Sequence, residues 1–122
     1  MSAGDALLTT SVAHRDGAVV LSVSGEIDAA TASVFDAAVA AALAEDPLML
    51  IIELSAVTFM GSVGLRILLS TKEETGNNFA DFAVVAHDKA ILRPIQLAGL
   101  HRILSMYSSL EDALAAPRKH MA

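Results

Sequence analysis

Apolar positions along the chain follow two different spacings, and the switches between them outline the elements. Gly17 to Ile27 (GAVVLSVSGEI) carries β-branched residues in partial alternation, the pattern of a strand. Leu7 to Ala13 is a weaker run of the same kind, separated from it by His14-Arg15-Asp16-Gly17. Asp-Gly there predicts a tight hairpin, so these two strands are expected to be antiparallel neighbours. Leu48 to Leu54 (LMLIIEL) is apolar almost without alternation, which predicts a strand buried on both faces. Phe82 to Ala86 reads as another short buried strand and Ile103 to Met106 as a last one.

Helical spacing fills the intervals. Asp28 is placed to cap a helix that runs through the alanine-rich stretch to Ala44, with Phe35, Val39 and Leu43 as its core stripe. Glu45-Asp46-Pro47 ends it. A second helix is predicted from Val63 to about Thr75, stopped by Gly76-Asn77-Asn78 with the glycine as its cap. A third opens at Asp88, runs to Ala98 and closes at Gly99; Pro94 inside it predicts a kink or a late start. Ser109, followed by Glu111 and Asp112, opens a short terminal helix, and Pro117 to Ala122 is expected to fray. The order is β-β-α-β-α-β-α-β-α. Alternation of this kind predicts parallel core strands with an antiparallel hairpin leading in. The expected architecture is one α/β domain over 1–122, core about 7–115, with a mixed sheet of about five strands and about four helices.

Bulk properties narrow the function. The length of 122 residues suits one domain, and more than half the residues are apolar, far above a disordered chain. The longest apolar runs fall short of a bilayer span, so no membrane insertion is expected. Met-Ser-Ala-Gly-Asp at the start has neither a basic region nor an apolar signal core, which predicts a cytoplasmic protein. Net charge is −6, which argues against a nucleic-acid partner. The chain has no cysteine, so disulfides, thiolate catalysis and cysteine zinc sites are excluded.

Signs of catalysis are lacking. His14, His87, His101 and His120 form no i, i+4 pair and lie at no metal-ligand spacing from a carboxylate, which reads as exposed loop histidines. Neither glycine-rich phosphate motif occurs, and Ser62 does not stand in a G-x-S-x-G elbow. Glu26 and Asp28 are close enough for acid–base work, but a solvated strand end followed by a cap explains them better. The expectation is a protein that is not an enzyme and takes neither cofactor nor metal.

The informative segment is Phe59-Met60-Gly61-Ser62-Val63-Gly64-Leu65-Arg66-Ile67-Leu68-Leu69. A buried strand leads through a short loop to a serine at a helix start, where its oxygen would cap free N–H groups. That role alone could justify Ser62. A phosphate, however, has its largest local effect at such a position. At 100° per residue, Leu65, Leu68 and Leu69 share one face with Lys72, while Val63 and Ile67 lie nearly opposite with Ser70 and Glu74. If the leucines pack on the sheet, Val63 and Ile67 face solvent as a docking surface beside the serine.

Together these pieces resemble the STAS domain family, which includes anti-sigma factor antagonists and regulatory domains of some transporters. The resemblance rests on Leu21-Ser22-Val23-Ser24-Gly25-Glu26-Ile27-Asp28, Leu50-Ile51-Ile52-Glu53-Leu54-Ser55, the Phe59 to Leu69 segment, Leu97-Ala98-Gly99-Leu100 and Ser109-Leu110-Glu111-Asp112-Ala113-Leu114, in that order over Val19 to Ala115. It implies an antagonist that captures an anti-sigma factor with an ATP-binding serine kinase domain and so frees the sigma factor. Phosphorylation of the family's serine, which matches Ser62, would end the complex, and a phosphatase would reset it. Asp28 would sit on the rim beside Ser62, and the partner surface would comprise Asp28, Gly61, Ser62, Val63, Gly64, Arg66 and Ile67. Two departures stand out. Gly61 replaces the family's aspartate before the serine, which would let the backbone take a conformation an aspartate resists, and Glu53 replaces an aspartate at the third strand's end. The alternative reading within the family is the STAS subunit of a lipid-transport ABC ATPase, with no phosphorylation. A nucleotide-binding sensor and a small hydrolase using Ser62 are the remaining readings.

Overall fold

A computed structural model describes residues 7–119. Its elements in chain order are β1 (Leu8–Arg15), β2 (Ala18–Ile27), α1 (Ala32–Leu43), β3 (Met49–Met60), α2 (Ser62–Asn77), β4 (Asp81–Val85), α3 (Lys89–Leu97), a 3-10 turn (Leu100–Arg102), β5 (Ser105–Tyr107) and α4 (Leu110–Ala115). The strands lie in one sheet in the order β1-β2-β3-β4-β5. β1 is antiparallel to β2, and every other neighbouring pair is parallel. The expected mixed sheet and the element order are both present. The hairpin turns on Asp16 and Gly17, both at positive φ (53° and 84°), as a two-residue turn matched to strand twist requires.

Strands that follow one another across a parallel sheet, joined by crossovers of one hand, must place their helices on one face. Phe35 and Val39 of α1, Ile67 and Leu68 of α2, and Ile91 and Ile95 of α3 therefore share a core with Leu21, Val23, Leu50, Ile52, Leu54 and Val84. Among the described residues, α4 is the helix that packs on the opposite face. Ala113, Leu110 and Leu114 pack there with Ala18, Val20, Met49, Ile51, Ala83 and Val85. Leu50 and Ile52 point one way and Met49 and Ile51 the other, which is why that run shows no polar alternation.

Several boundaries differ from expectation, each for a local reason. The third strand does not end at Leu54 but continues to Met60. Its register against β2 slips between Ser22/Ser24 and again between Gly25/Glu26, so bulges break the period-two pattern just where the strand was read as loop. At the first slip the Glu53 carboxylate accepts from the Ser55 N–H at 2.8 Å. α1 begins at Ala32 with Thr31 as its N-cap, not at Asp28. α2 runs through Gly76 to Asn77, and the left-handed residue after it is Phe79 rather than a glycine. α3 does open at Asp88, whose side chain accepts from Ala90 N, and it continues through Pro94 to a left-handed Gly99. α4 is capped by Ser109 accepting from Asp112 N, as expected. The tail is held further than expected: Arg118 donates to the Asp16 carbonyl and Lys119 N–H to Asp81 Oδ1. Residues 120–122, including His120, and the N-terminal Met1 to Ala6 lie outside the described residues.

Candidate functional site

The site forms where β2 and β3 leave the sheet together. Ile27 and Met60 are register partners, and the chain exits are tied by Gly61 N–H donating to the Ile27 carbonyl at 2.8 Å. Asp28 and Ser62 are thereby set on adjacent exits, although 34 positions separate them in the chain. Asp28 folds its carboxylate inward: Oδ1 accepts from Ala30 N at 2.9 Å and Thr31 N at 3.1 Å. Thr31 is buried, and its hydroxyl accepts from Asp28 N and donates to the Glu26 carbonyl at 2.7 Å. Asp28 thus caps the turn ahead of α1 and stiffens the loop rim, a different role from the expected helix cap.

Ser62 is the first residue of α2, not its cap. Gly61 is the N-cap, in an extended conformation (φ −84°, ψ 179°), with no side chain to bond the free N–H groups. Any residue can adopt those angles, so the expected backbone reason for glycine at 61 is overturned. A Cβ at Gly61 would meet only the Phe59 ring and the Ile27 carbonyl, both at ordinary contact distance. The Ser62 hydroxyl is exposed and makes no hydrogen bond among the described residues. No acidic residue of the helix itself occupies the first turn of α2, where the positive end of its dipole lies.

Gly64 has a strict steric reason. An added Cβ would stand 2.8 Å from Met60 Cγ and 2.9 Å from Ile27 Cγ2, both on buried side chains. The glycine lets α2 press its first turn onto the two strand ends, which holds Ser62 over their exits.

The buried face of α2 corrects the helical-wheel reading. Gly64, Ile67, Leu68, Thr71 and Thr75 are buried, while Val63, Leu65 and Leu69 are half-buried. Ile67 is only 7% exposed and belongs to the core. The true face is turned by roughly 100°, one residue step, from the leucine face. Two threonines misled the pattern. Thr71 donates to the Ile67 carbonyl at 2.6 Å and Thr75 to the Thr71 carbonyl at 2.9 Å, so both hydroxyls are satisfied inside the helix and can be buried without cost in lost bonds.

What remains open beside Ser62 is a shallow groove between α1 and α2. Val63, Arg66, Ser70 and the edge of Ile67 line one wall, and Ala32, Ser33 and Asp36 the other. Arg66 is exposed and has no ion-pair partner among the described residues. Phe59, half exposed at 50%, stands over Gly61 on the adjoining rim. Asp28, Gly61, Ser62, Val63, Gly64, Arg66 and Ile67 are therefore brought to one end of the sheet, but Gly64 and Ile67 support it from beneath. Ser70 lies on the α2 face that the helical wheel placed beside Val63, but Ser33 and Asp36 carry no signal in the sequence, because nothing in a linear pattern couples α1 to α2.

Among the described residues, the other chemistry-bearing side chains gather no second site. His14 lies in β1, not in a loop, and its Nε2 is 2.6 Å from Glu45 Oε1 in an exposed pair. Among the described residues no three histidine or acidic side chains converge as metal ligands, and no helix is long and apolar enough to cross a membrane.

Comparison with known proteins agrees with this architecture. The model of the STAS domain family matches residues 9–113. The chain is 45% identical over 118 residues to the anti-sigma-F factor antagonist RsfB of Mycobacterium tuberculosis, covering 97% of this chain and 95% of that one. It is 32% identical over 111 residues to the anti-sigma-F factor antagonist RsfA of the same organism, covering 89% and 87%. A crystal structure of an anti-sigma factor antagonist from Mycobacterium paratuberculosis superposes with a TM-score of 0.86 at 48% identity, over 92% of this chain and 95% of that one. On the family match and these identities, this chain belongs to the STAS domain family.

Proposed function

We propose that the protein is an anti-sigma factor antagonist: it binds an anti-sigma factor of the ATP-dependent serine kinase type and thereby frees a sigma factor in the cytoplasm. The relatives' names support the class of partner. The observation that carries the switch is the exposed, unbonded Ser62 hydroxyl at the first position of a helix whose cap is a bare glycine. In that reading the partner rests on the rim of Ser62, Val63 and Arg66 and extends into the groove toward α1.

Transfer of the ATP γ-phosphoryl group to Ser62 Oγ releases ADP and the hydroxyl proton. It adds close to two negative charges at this surface. The helix N-terminus stabilises the phosphate in the free protein, whereas a docked partner would have to desolvate it, so the modified form lets go. A phosphatase resets the hydroxyl. Asp28 acts by holding the rim, through the turn it caps.

The test is calorimetric titration of the purified chain with its anti-sigma factor, together with mass spectrometry after incubation with that protein and ATP. Ser62→Asp is expected to keep the fold and weaken binding at least about tenfold, some 1.4 kcal/mol. Phosphate should appear on wild type and not on Ser62→Ala. Equal affinity of Ser62→Asp and wild type would remove the serine from the interface. Binding only to components of a lipid transporter would transfer the surface to the alternative family role.

A further inference from the structure

The two edges of the sheet are built differently. β5 is cut to three residues and is followed at once by α4. Short edges of that kind offer little backbone for another chain to pair with. β1 is the opposite edge, and it is eight residues long with all but Leu8 exposed. Its ladder with β2 runs from Leu8↔Gly25 to Arg15↔Ala18 without one slip, so the strand is not bent away by a bulge. It holds neither proline nor lysine; its central residues Thr9, Thr10, Ser11, Val12 and Ala13 are small and uncharged, and the threonines and Val12 are β-branched strand formers. Val12 is apolar and 45% exposed. Along its outer side no described residue pairs with the β1 backbone. Of the usual protections β1 keeps one charged residue, Arg15 at its end, and lacks the shortness that guards β5.

We propose that β1 is a self-association edge, pairing antiparallel with β1 of a second copy so that the two five-stranded sheets become one. A free edge offers a row of hydrated N–H and C=O groups, a ready template for pairing with another strand. A two-fold axis perpendicular to the sheet makes that pairing self-complementary and keeps corresponding faces together. With Val12 on the axis, Val12 meets its own copy, Thr10 meets His14 and Thr9 meets Arg15. The guanidinium of Arg15 then faces Thr9 and the imidazole of His14 faces Thr10, whereas an in-register parallel arrangement would set Arg15 against its own copy. Val12 gains the β-branched cross-strand partner it lacks in the isolated chain. Ser62, at the start of α2 just past the end of β3, lies two strands inward from the axis and stays open.

The test uses sedimentation velocity on the full chain over a concentration series. A reversible dimer is expected for wild type. Val12→Lys sets two ammonium groups opposite each other on the axis and should weaken the dimer by at least about tenfold. Leu97→Lys, at a site 78% exposed on α3, should leave it unchanged. Because the chain lacks cysteine, Val12→Cys provides an independent readout: it should cross-link across the axis with a short bismaleimide, and Leu97→Cys should not. Circular dichroism of each variant separates loss of pairing from loss of fold. A wild-type chain that stays monomeric throughout overturns the proposal. So does a dimer that both lysine variants leave intact, or one that cross-links equally through residue 97.

Discussion

Gly64 and Gly76 lie in the same helix, and replacing each by alanine should shift stability in opposite directions. Helix propensity alone favours alanine over glycine at both positions, by up to about 1 kcal/mol in a helix interior. At Gly76 nothing stands within 4 Å of the new methyl, so propensity decides and Gly76→Ala should stabilise, by less than the interior value so near the helix end. At Gly64 the methyl would lie 2.8 Å from Met60 Cγ and 2.9 Å from Ile27 Cγ2. Carbon pairs rest near 3.5–4.0 Å, so both contacts are short by roughly 0.6 Å or more. Met60 Cγ lies in mid-chain, Ile27 Cγ2 is fixed on the stiff β-branched carbon, and both residues are buried. Overpacking of this kind costs about 1–3 kcal/mol, which exceeds the propensity gain. The expected net loss is about 1–2 kcal/mol, and at roughly 3–6 °C per kcal/mol for a chain of this length the melting temperature should fall by several degrees. Thermal denaturation followed by circular dichroism measures both variants against wild type. A Gly64→Ala protein as stable as Gly76→Ala would refute the claim that α2 is pressed onto the strand ends at this point. If the fall is seen but Ser62→Ala binds its partner as wild type does, the close approach serves packing alone.

Two further substitutions test the site's layers. Ile67→Ala should lower stability by about 2–5 kcal/mol, read as a drop in the urea midpoint, because Ile67 is core; a loss under about 0.5 kcal/mol would return it to the surface. Gly61→Asp places a carboxylate at the N-cap, where the backbone is already extended and a Cβ fits, so it should raise stability by about 0.3–1 kcal/mol in thermal denaturation. A fall in melting temperature would show that the Phe59 ring cannot share the rim with a side chain.

Much of the fold was legible because its signals are local. Asp16-Gly17 set the hairpin, LMLIIEL marked a strand covered on both sides, and Asp88, Gly99 and Ser109 stand at the helix ends where their chemistry placed them. Phe35 and Val39 were found by their spacing and are buried. The errors fall where neighbours override local preference. β3 was read short because its two bulges shift residues between faces and erase the alternation that marks a strand. Asp28 was given the right chemistry but the wrong object, since a turn intervenes before α1 and Thr31 takes the cap position.

For the site, the chain by itself determined that a serine follows a buried strand at a helix start, with Gly61 before it. Those facts are matters of residue order, whereas a carboxylate at position 61 is what the family resemblance implies. Which side of α2 is buried was decided by tertiary structure: Gly64 permits the closest approach, and Thr71 and Thr75 hide their hydroxyls against their own helix, so the buried face runs through residues a hydropathy pattern counts as polar. The groove toward α1 and the bare outer edge of β1 were decided there as well. Each exists only because parallel strands bring distant segments side by side, a geometry set by packing and backbone pairing rather than by any single stretch of sequence.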